Sequence, residues 1–172
     1  ASIDEAVRQI RAIVHNLREP DSDVGLVERI RRESSLSRSF LGFAPSLLIS
    51  VDGQSVNEQK ECEDHRVELL NSRVDDSRSD DAVAIVREGL SNIARHAHAT
   101  AGAVNVELQG SGKTGRLTVS VSDDGIGIDP AHTRNSGLAN MAERARLNGG
   151  TFTVGTGLEG KGTKITWSVP LA

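Results

Sequence analysis

Aromatic residues are almost missing from this chain. It has no tyrosine, one tryptophan and three phenylalanines, 2% of the sequence. The core must therefore be built from Val, Ile, Leu and Ala, and the scarcity argues against an aromatic platform on which single-stranded bases stack. Cysteine is equally scarce. Cys62 is alone, so no internal disulfide forms, and a reducing, cytoplasmic setting is the simplest expectation. An excess of positive charge is also lacking. The net charge of -4 gives no electrostatic case for direct contact with nucleic acid or an anionic membrane. No apolar run is long enough to span a bilayer, and no signal-peptide pattern opens the chain. There is no G-x-x-x-x-G-K-[ST] phosphate loop.

What is present is globular. The chain has 172 residues, 37% apolar and 26% charged, enough for one domain with a real core and room for an appendage. It begins at Ala1 with a helical pattern already running, and a fragment of a longer protein is expected.

The stretch 117–127 organises the rest. Leu117, Val119 and Val121 alternate onto one apolar face of a strand, and Asp123 continues that series. Its carboxylate should point inward, which is costly unless hydrogen-bonded. Gly125 and Gly127 follow, and glycine lets backbone approach a ligand closely. On its own the stretch reads either as a tight turn after an edge strand or as a pocket for a flat, donor-bearing group such as adenine.

In chain order, residues 3–17 carry Ile3, Ala6, Val7, Ile10, Ile13, Val14 and Leu17 at helical spacing, an amphipathic seam that ends near Pro20. His15 beside it reads as a polar neighbour of that seam. Leu26, Val27 and Ile30 begin a second helix that Gly42 stops, and residues 45–51 form a buried strand closed by Asp52-Gly53. Residues 54–80 are polar and are expected to be a partly ordered insertion, with a short strand or helical turn at 67–70. Cys62 and His65 lie there without the further ligands of a zinc site. Asp80 and Asp81 cap a helix running to about residue 98. On it Glu88, Asn92 and His96 are spaced to stack on one stripe. Such a stripe is either a solvated face or a holder for hydrated Mg²⁺ and a phosphate chain. Residues 104–108 and 117–122 form a hairpin. A polar stretch to Ser136 precedes a helix from Gly137, whose first amides are free for a phosphate. Residues 151–155 and 163–169 are the last strands, with Thr163 on the inward face of Ile165, Trp167 and Val169.

These motifs, in this order, resemble the N box and the glycine boxes of the histidine-kinase and Hsp90-like ATPases (the GHKL, or Bergerat, fold). The N box is Glu88 to His96. The first glycine box is Asp123 to Gly127, the second is Gly137-Leu138-x-x-Met141-x-x-Arg144, and the last is Gly160-Lys161-Gly162-Thr163. Each is weak alone, and their order and spacing carry the match from about Asp80 onward. The wording at 87–97 (Arg-Glu-Gly-Leu-Ser-Asn-Ile-Ala-Arg-His-Ala) and the Gly-Thr-x-x-x-Trp-x-x-Pro pattern at 162–170 are especially similar to nitrate-sensor-type (NarL-partner) bacterial histidine kinases. Within them the chain looks like the actinobacterial hypoxia or redox sensors of the DosS/DosT kind.

The resemblance implies an α/β two-layer sandwich: a mixed sheet of about five strands with about three helices on one face. Residues 1–20 would be a remnant of a dimerisation helix, and 21–172 the catalytic ATP-binding domain. It implies that Asp123 accepts the adenine amino hydrogen bond, with Thr163 in support through water. Asn92 would ligate Mg²⁺, and Glu88 would orient water on the metal or assist proton transfer. His96 would face the phosphates. Gly125, Gly127 and Gly137 would give backbone approach, with Leu138, Arg144, Gly162 and Thr163 completing the ATP contacts. The implied function is phosphoryl donation to a histidine outside this chain, for relay to a response regulator, in a protein that is a homodimer at full length. The family's phosphoacceptor histidine precedes residue 3 and is not His15, which lacks the adjacent acid. Two departures stand out. Asn135 replaces the first glycine of the second box, and the lid between Gly127 and Gly137 is short. Two other classes stay open: an anti-sigma-factor-type serine kinase or switch on the same fold, and a nucleotide-binding domain that regulates without transferring phosphate. A seam helix leading into the domain favours the sensor kinase.

Overall fold

A computed structural model of the chain describes residues 25–56, 65–126 and 136–172. The expected helix at 3–17 lies outside them, as do His15, Cys62, Gly127, His132 and Asn135.

The first described helix, α1, spans Leu26–Leu41 and stops at Gly42, whose φ of 81° is the left-handed geometry that glycine adopts without strain. Strand β1 (Ser46–Val51) turns at Asp52-Gly53 into the two-residue β2 (Gln54–Ser55). Helix α2 is His65–Arg73, and α3 is Asp76–Asn92, continued by a π-helical turn at Ile93–Ala97. Strands β3 (Gly102–Gln109) and β4 (Arg116–Asp123) form the expected hairpin. Helix α4 (Ser136–Leu147) follows, then β5 (Thr151–Thr156) and β6 (Thr163–Pro170).

The sheet order is β2-β1-β3-β4-β6-β5, with β1 parallel to β3 and every other pair antiparallel. It is a mixed sheet of six strands rather than about five. The addition is β2, two residues too short to show any alternation. The apolar face carries Val104, Val106, Leu117, Val119, Val121, Ile165 and Trp167, all buried against helix residues such as Ile30, Val83, Val86, Leu90 and Met141. Trp167 has no exposed surface, so the chain's single tryptophan sits in a core whose other fully buried side chains are aliphatic or Met141.

In the described part of the polar stretch, the short strand or helical turn expected at 67–70 is a full helix, α2. Leu70 on α2 and Val74 just after it are buried in the core. Helix α3 starts five residues before Asp81, because Asp75 rather than Asp80 or Asp81 is its N-cap: Asp75 Oδ1 accepts the Arg78 N–H at 2.8 Å. The displaced Asp80 and Asp81 are free for ion pairs, with Arg29 on α1 and Arg144 on α4.

Helix α3 lies very close to the sheet at Gly89. A Cβ there would sit 2.9 Å from Val121 Cβ and 3.0 Å from Ile165 Cδ1. Only glycine fits, and this approach lays the end of α3 along the carboxyl end of β4.

Candidate functional site

The end of β4 is built as the alternation requires. Asp123 is 4% exposed, and Thr163, across the β4–β6 ladder, is 7% exposed. Burial pushes the Asp123 carboxyl above its ordinary value. Backbone N–H groups of Gly125 and Thr163 pull it back, and the neighbouring Asp124 charge adds a smaller upward push. The Gly125 N–H donates to Asp123 Oδ1 at 2.8 Å. A carboxylate accepts more hydrogen bonds than two backbone groups supply, so Asp123 retains capacity for an external donor.

Two glycines make room for this acid. A Cβ on Gly162 would collide with the Asp123 carboxylate and lie 2.7 Å from Gly125 N. One on Gly157 would collide with the Asp123 carbonyl and lie 2.7 Å from the Lys161 and Thr163 carbonyls. Gly162 belongs to the site residues expected from sequence. Gly157 does not, since a glycine opening a turn gives no sign of what it packs against 34 residues away.

Asp124, which no sequence motif singles out, has a clear structural role. Its Oδ1 accepts the Thr100 N–H at 2.8 Å and the Ala101 N–H at 2.9 Å, and its Oδ2 accepts the Thr100 hydroxyl at 2.7 Å. These bonds, the Thr100 hydroxyl first, hold its carboxyl down at about 2. Asp124 thereby ties the loop leaving the π-helical turn to the end of β4. Its ladder neighbourhood agrees: Gly102 pairs with Asp123, and a Cβ on Gly102 would meet Ile93 Cδ1 at 3.6 Å. The end of the α3 helix and the Asp123 turn thus share one end of the sheet.

Glu88 and Asn92 occupy one face of α3, one turn apart, and face the start of α4. A Cβ on Gly137 would lie 3.1 Å from Glu88 Oε2 and 3.6 Å from Asn92 Oδ1. Glu88 also meets Arg95 Nη2 at 3.8 Å, a loose and exposed pair. The expected three-residue stripe does not continue unbroken. The chain passes into π geometry at Ile93, with hydrogen bonds five residues apart, so four-residue spacing no longer stacks side chains beyond Asn92. His96 lies in that turn, and its side chain falls outside those described. Leu138 is half-buried against the core. Arg144, expected among the nucleotide contacts, is two helical turns from Gly137 and pairs with Asp81.

The structure therefore brings together Glu88, Asn92 and Gly137 in one group, and Asp123, Gly125, Gly162 and Thr163 in another at the same end of the sheet. It does not bring Arg144 to either. Among the described residues no group of three His, Cys, Asp or Glu side chains forms a protein-only metal cage. A glutamate and an asparagine offer oxygen to a cation that keeps most of its water.

The family model for histidine kinase-, DNA gyrase B- and HSP90-like ATPases matches residues 77–172. The chain belongs to this ATPase family. The match begins on α3 and runs through Asp123 to the end, so it contains every residue of both groups. Among curated proteins the chain is 39% identical over 87 residues to the signal transduction histidine-protein kinase/phosphatase UhpB of Salmonella typhimurium, covering 50% of this chain and 16% of that protein. It is 28% identical over 168 residues to the sensor histidine kinase LiaS of Bacillus subtilis, covering 88% of this chain and 45% of LiaS. The chain thus spans less than half the length of these relatives. Among solved structures, the Erythrobacter litoralis EL346 blue-light activated histidine kinase superposes with a TM-score of 0.59 at 20% identity. That match covers 98% of this chain and 49% of the other. Its separately solved histidine kinase domain gives 0.55 at 22% identity, covering 86% and 62%. At these identities the superpositions show the ATPase-family fold. No helix among the described residues is long and apolar enough to cross a membrane.

Proposed function

We propose that this chain is the ATP-binding catalytic domain of a sensor histidine kinase. It holds Mg-ATP and donates the γ-phosphoryl group to a histidine elsewhere in the protein for relay to a response regulator. The observation that carries the reading is Asp123: a buried carboxylate at a strand end, cradled by glycines and keeping acceptor capacity. Adenine is a flat group whose exocyclic amine supplies the missing donor.

The residues fit the ligand. Asp123 accepts the adenine amino group, and Thr163 beside it supports that contact through water. Gly125, Gly137 and Gly162 give backbone approach without bulk, Leu138 adds apolar surface, and the resemblance adds Gly127 to them. Asn92 presents its amide oxygen to Mg²⁺, and Glu88 orients metal-bound water or takes a proton. A role for His96 toward the phosphates rests on the resemblance alone. When bound, Mg²⁺ supplies charge neutralisation along the phosphate chain. The protein's own contribution is positioning and electrostatics, as phosphoryl transfer demands. Arg144 acts on this site from a distance rather than by contact.

The partners follow from the same reading: a dimerisation and phosphoacceptor domain to which residues 1–20 lead, a second copy of the full-length protein, and a response regulator, all in the cytoplasm. The wording at 87–97 and the identity to UhpB support the nitrate-sensor-type (NarL-partner) group. The narrower likeness to hypoxia and redox sensors of the DosS/DosT kind rests on sequence resemblance alone. Calorimetric titration with ATP, with and without Mg²⁺, tests the reading. Saturable binding strengthened by Mg²⁺ supports it, and no binding in either condition contradicts it. Transfer of labelled phosphate to an added dimerisation domain separates a kinase from a domain that only binds.

A further inference from the structure

We infer that Asp81, Arg144 and Asn148 form a positioning clamp that sets the register of α4 along α3, and through it the fit of the nucleotide phosphates. The inference rests on the Mg-ATP reading above and assigns Arg144 a task other than contact with the nucleotide.

Two contacts define the helix pair. Gly137 faces Glu88 and Asn92 near one end, and Arg144 meets Asp81 at the other. Seven residues separate Asp81 from Glu88 on α3, and seven separate Gly137 from Arg144 on α4. The two contacts are therefore the same antiparallel register read two turns apart, roughly 10 Å along the axes. Between them Met141 is 1% exposed, and Ala145, just past Arg144, is as deeply buried, so the inward face of α4 is apolar. Apolar burial is non-directional and does not by itself fix how far one helix slides along another. Directional bonds do.

The clamp supplies them. Asp81 Oδ1 accepts Arg144 Nη1 at 2.5 Å, and Asp81 Oδ2 accepts Asn148 Nδ2 at 2.7 Å. Asn148 Nδ2 also donates to the Arg144 carbonyl at 2.7 Å, closing the end of α4. Both carboxylate oxygens are engaged, and the Asp81 side chain is only 18% exposed. At the other end, α4 opens with backbone amides that have no intrahelical partners. Those amides, with Glu88 and Asn92, face the phosphates in the proposed site, and displacements of about 1 Å in such a site are costly. The base end, at Asp123 and Thr163, stands on β4 and β6, and none of the clamp's hydrogen bonds reaches those strands.

This division gives the test. Mg-ATP and adenosine affinities are measured on the whole chain for the wild type, Asp81→Arg, Arg144→Asp and the double exchange, by calorimetry and by NMR titration for the weaker ligand. Each single variant should lose about tenfold in Mg-ATP affinity, equivalent to about 1.4 kcal/mol, while adenosine binding stays within about twofold. The double exchange should recover most of the loss, as coupled neighbours do. If an exchange variant fails to fold, Asp81→Asn and Arg144→Gln carry the same comparison. Parallel losses for both ligands, or a folded double exchange without recovery, overturn the inference and leave the nucleotide reading standing. A wild-type chain that binds neither ligand overturns both.

Discussion

Gly162 is packed against Asp123 so closely that no other residue fits. Its φ of +68° is one that side chains rarely adopt, and a Cβ there would run into the Asp123 carboxylate. The last glycine box and the buried acid are one unit: the turn before β6 exists in this form because the end of β4 must hold a carboxylate. Gly162→Ala should cost roughly 1–2 kcal/mol from the left-handed backbone alone, and more from the contact. The variant should unfold at lower denaturant and bind ATP at least tenfold more weakly. Unchanged affinity in a folded Gly162→Ala chain would mean that Asp123 and the ligand are not coupled.

Asp124 predicts a pH effect. Its folded value, about 2, lies below the ordinary 3.8. A lowered carboxylate stabilises the fold above its ordinary value, and that contribution is lost as pH falls toward 2. Between pH 4 and pH 2 the wild type should therefore lose more thermal stability than Asp124→Asn, which has no such proton to take up. Above pH 5 Asp124→Ala should melt below the wild type. Hydrogen exchange at the Thr100 and Ala101 amides should rise in it, since those amides lose their acceptor.

For Asn92 the expectation is a separation of functions. Asn92→Ala or Asn92→Asp should abolish phosphoryl transfer in the full-length protein, while adenosine binding survives because Asp123 is untouched. Wild-type turnover in either variant would make the Glu88–Asn92 face an ordinary solvated one.

The chain should not label itself on histidine, even with saturating Mg-ATP. Its histidines are His15, His65, His96, His98 and His132, and none stands beside an acid on a dimerisation helix that would take its proton. His65 pairs loosely with Glu68 on the exposed face of α2. Acid-labile label on the isolated chain would contradict this and make His15 the first residue to replace. Label on an added phosphoacceptor domain would support it.

Much of this was legible because period-2 alternation is local. Asp123 points inward because Val121, two before it, does, and Thr163 because Ile165, two after it, does; the hairpin, the α1 stop at Gly42 and the α4 start follow from similar local rules. What was not legible depends on long-range contact. Helix α2 buries one leucine in a polar sequence and is tied down by Asn71 to Val27 and Arg73 to Asp52. The start of α3 is set by Asp75 reaching Arg78, a bond that Asp80 offers equally well on paper. The π turn breaks the four-residue stripe without any proline or glycine to announce it. Asp81 with Arg144, and Asp124 with Thr100, are partners separated by 63 and 24 residues, and no spacing rule brings them together.

The central claim is that Asp123 reads adenine, and calorimetry of ATP with the wild type and Asp123→Asn tests it most directly. Asparagine keeps the shape but can turn a donor toward the adenine amine, and a site built to pair a substrate group discriminates strongly when the pairing is lost. The variant should fold, melt near or above the wild type because a costly buried charge is gone, and bind ATP at least about a hundredfold more weakly. Unchanged ATP affinity in a folded Asp123→Asn chain would contradict the assignment of this acid to the base.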